Sequence, residues 1–590
     1  MASRDTRVGG WPLAICWALT AAAFIAKALL TAGTTPLILD TDDAMRLTMV
    51  HDFLAGQGWF DLVQHRLNIP YGGEIHWSRL IDLPEAALLF VLRPIFGTLA
   101  DTAAAYIWPL ALLAPLLWLS GKTALCLGGR GAVLPALLLP AFSLITMAEF
   151  APGRFDHHSA QILLSMALLF CAILALERPR FAIGAGIAAA AALTIGIEGL
   201  PIVVATALVF GLAWVIAPRH AVALRDFGLS FALAMALGLA QGVPPARWFV
   251  PMFDAISIVY AAAAAMTAVA FVVLSLAPLR TVAARLAAGV VAGAIIAVVT
   301  VLLFPAILKG PYGMLDPWLI ANWIDRIAEA QPWWTSLVGD PVYPIAVLIP
   351  VLTGLVVVLW NIVRNPQDRG AWLVYGAFLV VALAVMLLQI RAARIAVPLA
   401  GPACATLIAA LWKDQASRRG LLPLLGLVGA CIASAGIAVG VIATTIVFAF
   451  PDYAAATEDT TRAARLACLK PSAFADLAGL PPERIMAPID LGSHLLLHTP
   501  HAVVAAPYHR SQQGVLDTFR FFNGPIGDSR KILAARGVTL VVICRAMKEI
   551  LGLVDHTPDS FVSLFAEDKL PAWLVDESLP GSPLRIYAVR

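Results

Sequence analysis

The stretch Glu149-Phe-Ala-Pro-Gly-Arg-Phe-Asp-His-His-Ser159 sets Asp156, His157 and His158 side by side, just after a Pro152-Gly153 turn. A carboxylate and two imidazoles on an irregular loop make half of a site for a divalent cation. The alternative is a polar loop whose histidines merely contact lipid headgroups. Earlier, Asp40-Thr-Asp-Asp-Ala-Met-Arg46 places Asp40, Asp42 and Asp43 directly after a long apolar run. Three carboxylates are costly there unless they are solvated or hold a cation, so the choice is between a hydrated helix cap and a ligand cluster. The stretch Asn68-Ile-Pro-Tyr-Gly-Gly-Glu-Ile-His-Trp-Ser-Arg-Leu-Ile-Asp82 brings His76 and Trp77, which suit an interfacial surface as well as a ligand surface. Glu329 stands among apolar and aromatic neighbours, facing a pocket or pairing with Arg326 on a short helix. Arg391 and Arg394 open a late apolar run. A guanidinium fork matches phosphate oxygens bidentately; snorkelling to headgroups is the other reading. Glu198, between two apolar runs, lines a cavity or ends a helix.

The elements that carry these residues are set by composition. Of 590 residues, 60% are hydrophobic and only 13% are charged, with a mean hydropathy of +0.85. Soluble domains are nearer ~25% charged, so the chain is a polytopic α-helical membrane protein. Runs of the ~20 residues needed for a spanning helix recur as about thirteen segments, at 11–32, 103–120, 132–149, 159–176, 181–197, 200–217, 227–243, 255–278, 287–305, 342–362, 371–390, 395–412 and 421–449. The first is too long for a signal-peptide core and lacks a convincing cleavage site. Basic residues occupy alternate connections, among them Arg4 and Arg7, Arg178 and Arg180, Arg280 and Arg285, and Lys413, Arg418 and Arg419. By the positive-inside rule the N-terminus is cytoplasmic and the C-terminus lies outside. The connections 33–102, 150–158 and 306–341 then share the outer face, with every residue named above that bears on chemistry. The segment 83–98, broken by Pro84 and Pro94, reads as an interfacial helix, because counting it as a span would turn the basic pairs outward.

After residue 450 the character changes. Residues 451–590 have ordinary charge density, turn signals such as Pro481-Pro482, and a helix-then-strand pattern in Asp528–Arg536 and Val538–Cys544. They read as a small extracytoplasmic α/β domain following a membrane domain of residues 1–450. Of seven cysteines none forms a Cys-X-X-Cys pair; Cys468 and Cys544 are either a disulfide or two separate thiols. There is no evident internal repeat.

The order of these signals resembles the GT-C glycosyltransferases, and more narrowly the catalytic subunit of archaeal and bacterial oligosaccharyltransferases. Asp40 stands six residues before Arg46, as in that family's first Asp-X-X-X-X-X-Arg motif. Ile69-Pro-Tyr-Gly-Gly-Glu-Ile-His-Trp77 through Asp82 is similar to archaeal first-loop sequences, and Gly153-Arg-Phe-Asp-His-His158 to the second acidic motif. Ile327-Ala-Glu-Ala-Gln-Pro332 is similar to Ser-Val-Ser-Glu-His-Gln-Pro, and Arg394 followed by Pro402 resembles the arginine that contacts the lipid-linked donor. In the C-terminal domain, Ala487-Pro-Ile-Asp-Leu-Gly492 stands where the family has Trp-Trp-Asp-Tyr-Gly; Asp490 and Gly492 remain, while the tryptophans and tyrosine are replaced.

The resemblance implies a sugar or oligosaccharide moved from a polyprenyl-phosphate or polyprenyl-diphosphate carrier to an acceptor on the outer face of a bacterial inner membrane, metal-assisted and with inversion. It implies Asp40 and Glu329 as catalytic groups, and a Mn²⁺ or Mg²⁺ held by Asp156, His158 and Asp40, Asp42 or Asp43. It further implies that Arg46, His76, Trp77, His157, Arg391, Arg394 and Asp490 bind substrate. With the sequon-gripping tryptophans gone, the expected acceptor is a lipid or glycan. The rival classes are a lipid-linked glycan flippase, which would commonly show two related halves, and a non-catalytic membrane scaffold.

Overall fold

A computed structural model describes residues 8–449, 460–547, 549–550 and 555–590. All thirteen apolar segments fold as helix, though not all as single helices. Among the described residues ten helices are long and apolar enough to cross a membrane. The pair Leu421–Ser434 and Gly436–Phe448, bent by 91° at Ala435, is either an eleventh, broken span or a re-entrant loop. The remaining two expected spans are short. Phe181–Ile195 has 15 residues, and the run 132–149 breaks into Val133–Leu138, Leu139–Phe142 and Leu144–Glu149. That break has a local cause: Pro140 opens the middle turn, and the Ser143 hydroxyl accepts from Thr146 N–H (3.3 Å), capping a new helix. Segment 83–98 lies within helix Arg79–Phe96, which passes through Gly97–Leu99 into Ala100–Gly128. Together these make 50 residues, more than twice what one crossing of a ~30 Å hydrocarbon core needs.

The membrane part is held by small residues on facing helices. Phe181–Ile195 buries Ala185, Ala188, Ala189 and Ala192 as it packs between His158–Ala175 and Ala221–Gly242. Without a hydrophobic drive between helices in lipid, such close backbone approach is the main source of cohesion.

The C-terminal domain is built on a five-stranded sheet. Numbering strands along the chain, a short hairpin pairs β1 (Val63–Gln64) with β2 (Gly73–Glu74), and the sheet uses β3 (Arg484–Met486), β4 (Ala502–Val503), β5 (Leu540–Cys544), β6 (Leu574–Asp576) and β7 (Leu584–Val589). Its order is β4-β3-β5-β7-β6, parallel across β4-β3-β5 and antiparallel beyond. The strand expected at 538–544 is β5, buried along its whole length. The helix expected before it is Ile526–Arg536, ended by Gly537 with φ +63°. Helix Ile489–His498 lies so close to the sheet that a Cβ on Gly492 would sit 2.1 Å from the Ala505 carbonyl oxygen. Cys468 and Cys544 are joined in a disulfide that ties helix Thr460–Cys468 to the end of β5.

The first connection, 33–102, docks on this domain rather than standing apart. Leu67 bridges to Val503 in parallel, and the Val503 N–H donates to the Arg66 carbonyl (2.7 Å). The Arg66 guanidinium donates to the carbonyls of Leu496 (2.8 Å) and Thr499 (2.9 Å) at the C-terminal end of helix Ile489–His498, where a cation complements the helix dipole. A second tie runs through charge. Arg510 donates to Asp254 (2.7 and 2.9 Å) and Glu74 (2.8 Å), and Arg247 donates to Glu74 (2.9 Å).

Replacing Cys468 with Ala is expected to cost the C-terminal domain about 2–4 kcal/mol, the usual value for a natural disulfide closing a loop. Hydrogen exchange across β5 and β7 should accelerate while the membrane helices keep their protection. Unchanged exchange in β5 would show that the crosslink contributes no stability.

Candidate metal and phosphate site

Asp40 caps helix Thr41–Leu54 by accepting from Asp42 N–H (3.0 Å), and so fixes where the acids of the first turn point. Asp43 turns inward. Its Oδ1 accepts the backbone N–H groups of Phe155 and Asp156, each at 2.7 Å, and Oδ2 pairs with Arg154 at 2.8 Å. One carboxylate therefore holds the whole 154–156 loop. The loop can approach because Gly153 sits at φ +99°, where a Cβ would lie 1.9 Å from the Leu37 carbonyl oxygen.

Arg154 is the hub. Its Nη1 reaches Asp40 (3.0 Å) and Asp43 (2.8 Å), and its Nη2 reaches Glu149 (3.1 Å) and Asp156 (3.8 Å). Arg394, at the start of helix Ala393–Arg418, repeats the pattern one step across the site. Its Nε pairs with Glu149 (2.9 Å), its Nη2 with Glu329 (2.6 Å), and its Nη1 with His158 Nε2. Glu149 thus bridges the two guanidinium groups.

Asp156 Oδ2 lies 3.2 Å from His158 Nε2, and Oδ1 lies 2.6 Å from His157 Nδ1. His157 Nε2 lies 3.0 Å from Glu198. Burial alone would lower the His157 pKa, but the Asp156 and Glu198 carboxylates push it up to about 10. The two carboxylates thus favour the charged form of His157, and each of its ring nitrogens faces one of them. Asp156, His157 and His158 form the one tight cluster of potential metal ligands among the described residues. Of these, Asp156 and His158 each also face a guanidinium group, Asp156 that of Arg154 at 3.8 Å and His158 that of Arg394.

A cavity of about 480 Å³ opens beside this cluster, between the membrane part and the C-terminal domain. Asp40, Asp42, His158, Glu329, Arg394 and Asp490 line it. The single Tyr508 O–H is shared between Asp42 (3.1 Å) and the Thr41 carbonyl (3.2 Å), so the C-terminal domain holds Asp42 in place. Burial raises the Asp42 pKa well above the usual range, and the charges of Asp156 and Asp40 raise it further. Asp43 is pushed up to about 7, again by burial first and then by Asp40 and Asp156, against the pull of Arg154. Asp40 resists the same burial because Arg154 stabilises its charge, and it falls below its ordinary value. Even with Asp42 and Asp43 left out, the four acids Asp40, Glu149, Asp156 and Glu329 outnumber the two guanidinium groups they face. A donor set of carboxylates and one imidazole with surplus negative charge fits a hard divalent cation.

The expected site residues are not all where the sequence suggests. Asp43, expected among the metal ligands, is buried behind the cavity lining, where it holds the loop and Arg154. Arg46 and Trp77, expected to touch substrate, are buried behind the cavity. Arg46 pairs with Asp82 at 2.6 Å and lies 4.3 Å over the Trp77 ring, which meets Tyr508 edge-on. His157 is buried in the same layer, and His76 packs against His509 at 4.7 Å on the charged tie. Arg391 donates to Gln389 (3.1 Å) outside the cavity lining. Motif reasoning missed Arg154, Glu149 and Tyr508 as site residues, and with them Glu198 as the partner of His157. The signal available for the first two was their place within a single acidic-basic loop.

Helix Ile489–His498 carries His494, fully buried where the C-terminal domain meets helix Thr41–Leu54. Burial, then the nearby His498, lowers its pKa to about 4. The unfolded chain, with an ordinary value near ~6.5, takes up this proton first as pH falls. The stability that depends on neutral His494 is therefore complete above about pH 6.5 and drains away toward pH 4. His494→Gln should flatten the decline in melting temperature over that window, compared with wild type. An identical slope for the two proteins would show that His494 does not titrate on unfolding.

No protein-family model and no curated protein matches the chain. Solved structures do. The archaeal oligosaccharyltransferase AglB from Archaeoglobus fulgidus, in complex with an inhibitory peptide and a dolichol-phosphate, superposes with a TM-score of 0.68 at 11% identity, over 98% of this chain and 74% of that one. The same organism's oligosaccharyltransferase in complex with Zn and sulfate gives 0.62 at 14% identity, over 94% and 70%. Its form tethered to an acceptor peptide containing an NVT sequon gives 0.62 at 12%, over 98% and 74%. The chain has the GT-C membrane fold of the archaeal oligosaccharyltransferases.

Proposed function

We propose that this protein transfers a sugar or oligosaccharide from a polyprenyl-phosphate or polyprenyl-diphosphate carrier to a lipid or glycan acceptor, with inversion at the anomeric carbon. The observation that carries the reading is the convergence of Asp40, His158, Glu329 and Arg394 on one cavity, with Asp156 buried 3.2 Å behind His158, at the border between apolar helices and a polar domain. A lipid-linked phosphate has its isoprenoid in the bilayer and its sugar in water, so it reaches its enzyme at such a border.

Asp40, Asp156 and His158 are the residues that would hold Mn²⁺ or Mg²⁺. The ion would neutralise charge developing on the leaving phosphate. Arg394 supports the same phosphate with charge-assisted hydrogen bonds. Glu149 keeps its grip on Nε and orients the fork, while the Nη2 now on Glu329 turns to the donor. Glu329, released, accepts the proton of an acceptor hydroxyl and positions that oxygen on the face opposite the phosphate. Attack from that face inverts the sugar. Alternate basic connections and a disulfide within the C-terminal domain support a site on the extracytoplasmic face of a bacterial inner membrane.

Asp156→Asn should leave the protein folded and abolish turnover of a labelled polyprenyl-linked donor, with EDTA producing the same loss. Arg394→Lys keeps the charge but not the bidentate fork, and should weaken donor binding at least about tenfold, the value of one charged hydrogen bond. Full turnover in EDTA would remove the metal from this account.

The acceptor is tested separately. The segment Ala487-Pro-Ile-Asp-Leu-Gly492 leaves no indole donors, and Ile489 and Asp490 line the cavity instead. A segment without those donors cannot itself select a hydroxyl by hydrogen bonding. Offered a sequon peptide and a membrane-lipid extract in parallel, the enzyme should label the extract. Label in the peptide that vanishes when its Asn becomes Gln would reverse the assignment.

A further inference from the structure

Helix Ala393–Arg418 begins at the acid–histidine cavity with Arg394 and carries Lys413 about 28 Å further along its axis, at ~1.5 Å per residue. That distance is a membrane thickness. At this opposite end the helix, with Val342–Arg364, the broken run 133–149 and the bent pair 421–448, encloses a groove of about 1200 Å³. Its walls are apolar along most of their length, with Leu134, Leu138 and Phe142 on one side. Its rim is not: Trp360, Asn361, Asn365, Trp412 and Lys413 gather there.

We propose that this groove binds one anionic phospholipid of the leaflet opposite the acid–histidine cavity. Four observations converge on that occupant. The groove lies at membrane depth between spanning helices, so acyl chains are what it meets. Trp360 and Trp412, 61% and 68% exposed, stand where aromatic side chains mark the headgroup level. Lys413 is the one charged side chain in the lining, and Arg364 adds a second cation 4.8 Å over the Trp360 ring. Basic recesses between helices at this level select anionic headgroups.

The fourth observation is Trp372. It lines the groove, only 1% exposed, and its indole N–H has no hydrogen-bond partner. A buried donor without an acceptor is costly. Trp372 lies in the first turn of helix Arg369–Leu388, near the rim end, at the level of a lipid's phosphate and ester oxygens. Such an oxygen is the missing acceptor. The donor's own isoprenoid tail would fill the apolar walls but offers no oxygen at this end, because its phosphate belongs at Arg394.

The test uses the full-length protein, purified in detergent and offered phosphatidylglycerol, phosphatidylcholine or a polyprenyl phosphate. Native mass spectrometry counts retained lipid. Alkylation of Cys431, an exposed free thiol in the groove lining, reports occupancy. Phosphatidylglycerol should be retained over phosphatidylcholine by about fivefold, the value of one basic residue at a membrane surface, and should slow Cys431 alkylation. Lys413→Glu should abolish the preference. Trp372→Phe, which keeps the ring but loses the donor, should weaken retention of phosphatidylglycerol. Equal retention of both lipids, a preference unchanged in Lys413→Glu, or Cys431 protection by polyprenyl phosphate alone would each overturn the proposal. None of these readouts depends on turnover, so the proposal stands or falls apart from the reaction assigned to the other face.

Discussion

Everything at the candidate site depends on one guanidinium. Arg154 draws Asp40, Asp43, Glu149 and Asp156 toward a single point, from two elements more than a hundred residues apart in sequence. Without a cation at that point the four carboxylates would repel one another in a poorly solvated space, and burial would force them to take up protons. The directions of their pKa shifts show the balance. Asp40, close to the guanidinium, is held charged, while Asp42, not paired with it, is driven toward the neutral form. The same contact favours the charged form of Asp43, whose other oxygen accepts from the Phe155 and Asp156 amides.

This division of labour separates the groups that build the site from those that face the cavity. Asp43, Arg46, Trp77 and His157 form a buried layer of ion pairs and stacked rings behind it. Asp40, Asp42, His158, Glu329 and Arg394 look outward from that layer. Arg394 joins the two sets, since its Nε is anchored on buried Glu149 while its Nη2 rests on the more open Glu329. A fork anchored at one nitrogen and free to exchange partners at another is suited to hold a ligand and release a carboxylate in the same motion.

The membrane segments were legible in the sequence because hydrocarbon imposes a length and a composition on any helix that crosses it. Where that reading departs from the structure, at 132–149 and 421–449, the cause is local backbone chemistry that hydropathy does not register: the Ser143 cap after Pro140, and the extended turn at Ala435. The β5 strand was legible for a related reason, since a fully buried strand must be apolar throughout. Which side chains face the cavity was less legible. Arg46 and Arg394 look alike as letters, and only packing makes one a buried strut and the other a wall of the cavity. Arg154 and Tyr508 were overlooked because their partners, Asp40 and Asp42, lie across the fold rather than nearby in sequence.

The clasp of Arg66 on the carbonyls of Leu496 and Thr499 joins groups 430 and 433 residues apart. Chains emerge from the ribosome N-terminal end first, so the connection that follows the first helix is made long before the domain it docks on exists. Contacts of such long sequence separation form late and slowly. Until then Asp42 lacks its Tyr508 hydroxyl and the cavity lacks a wall. The site is thereby timed by the chain's own synthesis: an unfinished chain already threaded into the bilayer has Arg394 in place but no closed chamber around it. A truncation that spares every membrane-spanning helix but removes Tyr508 would still leave the cavity open.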